Sequence, residues 1–364
     1  YGIKHVFLVT GGGAMTLNDA LRKEKRIKHI CNLHEQACAI AAEGYARITG
    51  KLSVVNVTSG PGGLNTLTGV MGQWTDSIPV LYLSGQVKFE TTLSSIPDLP
   101  LRQLGDQEIN IVDLVRPITK YAKMIVDPTS IKIELQKALY IATTGRPGPV
   151  WLDIPLNVQG ALIDEKELCG FVKEIMHKEL DANHIQKSIG LIKNAKRPLL
   201  IAGHGIRISG VKKQFLKLVD LLHIPVVTTF NGYDLMASDS SKFIGRIGTL
   251  GSRAGNFALQ NSDVLICLGT RNNIRQISYN WESFAKNAKK IIVDIDNAEL
   301  CKKTVIGDIC INADVKDFIS ELYNNIPKDY ERNEEWLEWG LERKKKYQIV
   351  IDEHVVQSED GYSP

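Results

Sequence analysis

The sequence has 364 residues, 43% hydrophobic and 23% charged, with 44 Lys and Arg against 41 Asp and Glu for a net charge of +3. That length supports two or three domains, and so even a charge balance argues against a nucleic-acid partner. No apolar stretch approaches the roughly 18–20 residues of a bilayer span and no signal peptide opens the chain, so a cytoplasmic protein without a membrane partner is expected.

In chain order, short β-branched runs alternate with helix-like segments. The first series of strands reads "HVFLV" (5–9), "KHICNL" (28–33), "SVVNVTS" (53–59), "PVLYLSG" (79–85) and "GPVWLDIP" (148–155). A second series reads "PLLIAG" (198–203), "PVVTT" (225–229), "DVLICLG" (263–269) and "KIIVDID" (290–296). This alternation predicts an α/β protein of two doubly wound parallel-sheet domains, at 1–160 and 181–323. Residues 161–180 carry charge without a strand pattern and read as a linker running into a helix, and 324–364 as a polar helical tail. The dense basic run in that tail, "ERKKKYQ" at 342–348, reads as a solvated helix face. The chain opens close to a strand, so an upstream segment is expected. Six cysteines, at 31, 38, 169, 267, 301 and 310, show no CxxC pairing and mostly fall in apolar segments, the pattern of reduced, buried thiols.

Ligands of open parallel sheets gather beyond the carboxyl ends of the strands, and three Gly-rich segments lie there: "TGGGAM" (10–15), "TSGPGGLN" (58–65) and "AGHGIRISG" (202–210). Glycine there lets the backbone approach a ligand and exposes helix amides to anions. None spells G-x-G-x-x-G and the P-loop Lys-Ser/Thr is absent, so each alone reads equally well as a tight turn. Glu35 follows the apolar run 29–33 and precedes small residues at helical spacing, Ala37, Cys38, Ala41, Ala42 and Tyr45. The residues alone leave it either a site carboxylate or a charge complementing the helix dipole. His34 reads as a structural hydrogen-bonder, and Glu43 as a surface charge or helix pair.

Together, "HEQACAIAAEGYARITGK", "VTSGPGGLNTLTGV", "TDSIPVLYLSGQV", "QEINIVDLVRPITKYA" and "TGRPGPVWLDIP" resemble, in order and spacing, the acetolactate synthase branch of the thiamine-diphosphate-dependent enzymes. "RPLLIAGHGI", "IPVVTT", "LGTR" and "VDIDNAEL" are similar to that family's central domain. The resemblance implies the pyrimidine-binding and central domains of a longer enzyme. The family's third domain, with a Gly-Asp-Gly segment and a downstream Asn that hold Mg2+ and the diphosphate, has no counterpart here, so no metal ligand is expected in this chain and the chain alone is expected to be inactive.

By the same resemblance, Glu35 would bond the ring nitrogen N1′ of the cofactor's aminopyrimidine, promoting the imino tautomer that deprotonates the thiazolium C2. Gly11, Gly12 and Gly13 would line the thiazolium, Pro61, Gly62 and Asn65 the pyrimidine pocket, and Gln107 would face the substrate. A partner subunit would complete the pocket, implying a homodimer or homotetramer. FAD in a non-redox role would be held by Arg146, Gly203, Gly205, Gly248, Arg271, Asp294 and Asp314. Two positions depart from the pattern: Asp106 stands where an aromatic is usual, and Leu156 replaces the lysine of "IPKD". An aromatic and a cation suit a 2-ketoacid, so their replacement points away from acetolactate synthesis and toward adding a two-carbon unit from pyruvate, or another 2-ketoacid, to a keto-sugar in surface polysaccharide biosynthesis. Acetolactate synthase proper, a simple 2-ketoacid decarboxylase and a non-catalytic nucleotide-binding or regulatory module stay open, as does an Asp106 that merely faces solvent.

Overall fold

A parallel strand covered by helices on both faces is buried on both sides and reads as a largely apolar run, as the interior strands here do. The computed structural model describes residues 1–173, 180–327 and 330–351, and the chain divides into two units, 1–176 and 177–364.

The first unit runs β1 (His5–Leu8), α1 (Met15–Lys23), β2 (Lys28–Cys31), α2 (Glu35–Thr49), β3 (Ser53–Val57), α3 (Pro61–Leu64), α4 (Leu67–Asp76), β4 (Val80–Gln86), α5 (Ile111–Val115), β5 (Tyr121–Met124), α6 (Ile131–Thr143), β6 (Val150–Pro155) and α7 (Leu156–Gln159). Its six strands are all parallel, in the order β2-β1-β3-β4-β6-β5. Alternation of side chains sorts the core into two layers. Phe7, Val55, Tyr82 and Trp151 pack with α2, α4 and α5, whereas Val6, Val54, Leu81 and Leu152 pack with α6. Trp151 lies stacked on Tyr82 with centroids 4.9 Å apart, worth about 0.5–1.5 kcal/mol beyond its burial.

The second unit runs α8 (Ala182–Asn194), β7 (Pro198–Ala202), α9 (Gly205–Ile208), α10 (Lys212–Leu222), β8 (Val226–Thr228), β9 (Phe243–Arg246), α11 (Arg253–Asn261), β10 (Val264–Leu268), α12 (Ile274–Ile277), β11 (Lys289–Asp294), α13 (Asn297–Cys301), β12 (Ile309–Asn312), α14 (Val315–Asn325) and α15 (Glu334–Lys346). The sheet order is β12-β11-β10-β7-β8-β9, again parallel. Helices α8, α10 and α14 cover one face, and α11 and α15 the other.

Three strands, β5, β9 and β12, lie outside the expected set, and all three are sheet edges. An edge strand pairs on one side only and can carry mixed residues, as "YAKM" does. The expected polar tail is also corrected. Trp336 and Leu337 of α15 are buried, the Trp336 indole donates to the Pro198 carbonyl at 2.8 Å, and Lys344 donates to the carbonyls of Ser238 and Phe243, both at 2.7 Å. Part of the basic run thus ties α15 to the start of β9 instead of facing water. Residues 174–179 of the expected linker and 328–329 and 352–364 of the expected tail lie outside the described residues. All six thiols are free, but Cys38 and Cys267 alone are buried, because the others lie on edge strands, in a loop or at a helix end. Among the described residues no helix is long and apolar enough to cross a membrane.

Candidate active site

In the first sheet the chain passes from β1 outward to β2 and then returns to the other side of β1 for β3, a reversal of strand order that opens a crevice at the carboxyl ends. The loops after β1 and β3 interlock in it. The Gly13 amide donates to the Thr58 hydroxyl at 3.0 Å, and a Cβ on Gly11 would stand 2.4 Å from Thr58 Cγ2. The Gln159 side chain donates to the Gly13 carbonyl at 2.7 Å, while a Cβ on Gly85, in β4, would meet that carbonyl at 2.2 Å. Gly12, between them, faces open space, with nothing within 4 Å of a Cβ placed there.

Glu35 is the first residue of α2. The helix starts here because His34 Nδ1 accepts the Gln36 amide at 3.1 Å, which makes His34 the cap and frees the Glu35 carboxylate. Alanine propensity sustains the helix and the left-handed Gly50 ends it. The half-buried Glu35 accepts from the Asn65 amide through Oε2 at 3.0 Å, while Oε1 lies 3.6 Å from where a Gly62 Cβ would be. The small residues behind it serve close helix packing: a Cβ on Gly69 of α4 would come within 2.5 Å of Ala39 Cβ. Glu43 pairs with Arg47 one turn on, at 2.7 Å.

Gly60 adopts φ +58, and a Cβ there would lie 1.9 Å from the carbonyl oxygen of Gln107, itself at φ +56. The turn that leads into Pro61 is therefore pressed against the segment carrying Asp106 and Gln107, both exposed. Leu156 opens α7 just beyond β6 and is half-buried. The crevice thus gathers Gly11, Gly12, Gly13, Glu35, Pro61, Gly62, Asn65 and the Gln107 backbone. Thr58 and Gln159 went unread in the sequence. Thr58 offers a signal, a hydroxyl directly after a strand beside glycines, but Gln159 reaches Gly13 across 146 residues and offers none. Beneath the crevice, Asp153 is fully buried, and burial pushes its carboxyl up to about 7; the nearby Glu108 charge adds to this, and bonds from Ser84 and Gln86 oppose it.

The second sheet has its own reversal between β7 and β10. A Cβ on Gly203 would be 2.2 Å from the Gly269 carbonyl, and one on Gly205 would be 2.7 Å from Gly269 Cα. At the end of β8 the buried Thr228 hydroxyl has no hydrogen-bond partner, the kind of orphan donor a ligand can satisfy. Gly248, which follows β9, is clasped by the Asn256 amide at 3.0 and 3.1 Å, and Arg271 is half-buried just after β10. Asp294 ends β11 and accepts the Asp296 amide at 2.9 Å. Asp314 caps α14 through the Lys316 amide at 2.9 Å. These residues share the carboxyl edge of the second sheet. Arg146 lies in the first unit, in the turn before β6 at the amino ends of the strands, with its Nε donating to the Ser77 hydroxyl at 2.9 Å.

Comparison with known proteins adds two matches to family models: residues 1–114 match the "Thiamine pyrophosphate enzyme, N-terminal TPP binding domain" and residues 185–322 the "Thiamine pyrophosphate enzyme, central domain". The chain is 38% identical over 369 residues to a probable acetolactate synthase large subunit of Methanococcus aeolicus, covering 96% of this chain and 59% of that protein. It is 35% identical to the acetolactate synthase large subunit of Lactococcus lactis (95% and 58%), and 33% identical to the chloroplastic acetolactate synthase of Arabidopsis thaliana (85% and 46%). The chain spans about three fifths of the length of the first of the curated relatives it matches.

Proposed function

The chain belongs to the thiamine pyrophosphate enzyme family, and from that premise we propose that the full-length protein is a cytoplasmic, thiamine-diphosphate-dependent carboligase that decarboxylates pyruvate or a related 2-ketoacid. The observation that carries the reading is Glu35, placed at a helix start in the crevice with one oxygen held by Asn65 and the other beside the side-chain-free Gly62. The pyrimidine of the cofactor would lie against these three residues. When bound, the cofactor supplies the nucleophilic carbon that adds to the ketoacid and accepts the electron pair left by decarboxylation. Glu35 would hold and return a proton at N1′. Gly12 leaves room for the substrate, and Gln107 faces it.

The missing cover fits a second subunit. Leu33, just before α2, and Ile40, Ile48, Met71 and Trp74 of α2 and α4 are exposed apolar side chains, which a partner could cover. A homodimer or homotetramer in which a partner's third domain seats on this face would bury Glu35, and that domain, in the length the relatives have beyond this chain, would hold Mg2+ and the diphosphate. In the second unit Gly203, Gly205, Gly248, Arg271 and Asp294, with the Thr228 hydroxyl, could hold FAD in a structural role. Asp314 would act through its cap, and Arg146 is carried as a further FAD contact by the family resemblance alone.

For the acceptor, Asp106 is the determinant we propose. A carboxylate roughly 5 Å from a second ketoacid, at an effective dielectric near 20, repels it by about 3 kcal/mol, and Leu156 supplies no compensating cation. An uncharged carbonyl such as a keto-sugar fits better, consistent with a role in surface polysaccharide biosynthesis. The relatives' names favour a second reading, acetolactate synthase proper. Incubating the full-length protein with pyruvate alone and with a nucleotide-linked keto-sugar, for wild type and Asp106→Phe, separates the two: fast acetolactate formation by the wild type, unchanged by the substitution, rejects the keto-sugar reading.

A further inference from the structure

Between β4 and α5 the chain makes a long excursion, and its return segment, 103–110, carries Asp106 and Gln107 to the mouth of the crevice. Four contacts fix that segment. A Cβ on the buried Gly105 would lie 2.6 Å from the Thr91 carbonyl, and the Gln107 backbone rests on Gly60. Gln86 donates to the Ile109 carbonyl and to Asp153 Oδ2, both at 3.1 Å. The fourth contact is Glu108. Its side chain is only 3% exposed, its Oε1 accepts the Leu93 amide at 3.0 Å, and its Oε2 is buried without a hydrogen-bond partner. Its own carbonyl accepts from the Gln103 side chain at 3.0 Å.

A carboxylate buried on a single backbone amide, beside a second buried carboxylate, is costly to place, and here it stands next to the one exposed stretch that reaches the substrate side. Of the four contacts, it alone is a side chain of the segment itself that reaches back to the outgoing limb of the excursion, at Leu93. We propose that Glu108 is a positioning residue: by holding the Leu93 amide it closes the excursion at its base and sets where Gln107 and Asp106 stand toward the acceptor. The inference rests on the carboligase reading for its consequence in turnover, but the anchor itself is a property of this chain.

The test uses the full-length protein with Glu108→Gln, Glu108→Asp and Glu108→Ala, measuring hydrogen exchange of the Leu93 amide together with donor turnover and acceptor KM. Glutamine keeps an oxygen at the same reach, so wild-type exchange and kinetics are expected. Aspartate is one methylene short and alanine has no acceptor. Both should speed Leu93 exchange by about tenfold or more, the worth of about one hydrogen bond. Both should also raise acceptor KM by a similar factor while donor decarboxylation stays within about threefold. Should alanine prevent folding, aspartate decides. Unchanged Leu93 protection in Glu108→Asp overturns the proposal, and so does lost protection with unchanged acceptor KM. A wild type inactive toward every 2-ketoacid would overturn the carboligase reading instead, leaving the exchange result to decide the anchor on its own.

Discussion

Substituting Gly60→Ala should damage both the fold and the site, by an amount that follows from the backbone. Gly60 sits at φ +58 and ψ −119, a region essentially closed to residues with a Cβ, which alone costs about 1–3 kcal/mol. The new methyl would also stand 1.9 Å from the Gln107 carbonyl oxygen, so one backbone or the other must move by roughly an ångström to reach ordinary C···O contact. Gln107 is itself at φ +56 and has little freedom to give. A loss of about 3 kcal/mol or more is expected, which for a unit of this size lowers Tm by roughly 6–12 °C. Thermal unfolding followed by tryptophan fluorescence measures it, with Gly12→Ala as the control. Nothing lies within 4 Å of a Cβ at Gly12, so that variant should keep its Tm and lose activity by narrowing the crevice. A Gly60→Ala protein with Tm within about 2 °C of wild type would refute the reasoning.

Asp153 is fully buried and its carboxyl is raised to about 7, chiefly by burial, so the folded state holds its proton more tightly than the unfolded chain. Its contribution is therefore intact below about pH 4 and is lost as pH rises through about 7, a change of up to about 4 kcal/mol. Urea midpoints of wild type should fall relative to Asp153→Asn over that window and run parallel above about pH 8; parallel behaviour throughout would contradict the raised value. Trp336→Ala removes a buried ring stacked on Trp339 and its bond to Pro198, and should cost about 3–5 kcal/mol. A change under about 1 kcal/mol would mean that α15 is not part of the second unit's core.

What the sequence disclosed follows from what each position has to satisfy. Strands β3, β6, β7 and β10 are buried at every position, so their apolar runs are visible without context, whereas β5, β9 and β12 lie at edges and look like ordinary mixed segments. Glu35 could be singled out because an acidic residue heading an alanine-rich helix is a local pattern. What holds the crevice in shape is not local: Thr58 bonds Gly13 across 45 residues and Gln159 does so across 146. Likewise the purpose of Ala39 emerges only when Gly69 is packed against it, and the docking of α15 rests on Trp336 meeting Pro198 across 138 residues.

The most direct test of the site is the exchange of the C2 proton of thiamine diphosphate bound to the full-length protein, followed by quenched-flow NMR in wild type and Glu35→Gln. Glutamine preserves the size of the side chain and its contact with Asn65 but cannot share a proton with N1′. If Glu35 is the group that works on the pyrimidine, exchange should slow by about 10² to 10⁴-fold with Tm unchanged. Exchange in the variant within about tenfold of wild type would contradict the assignment of this crevice as the cofactor's activating site.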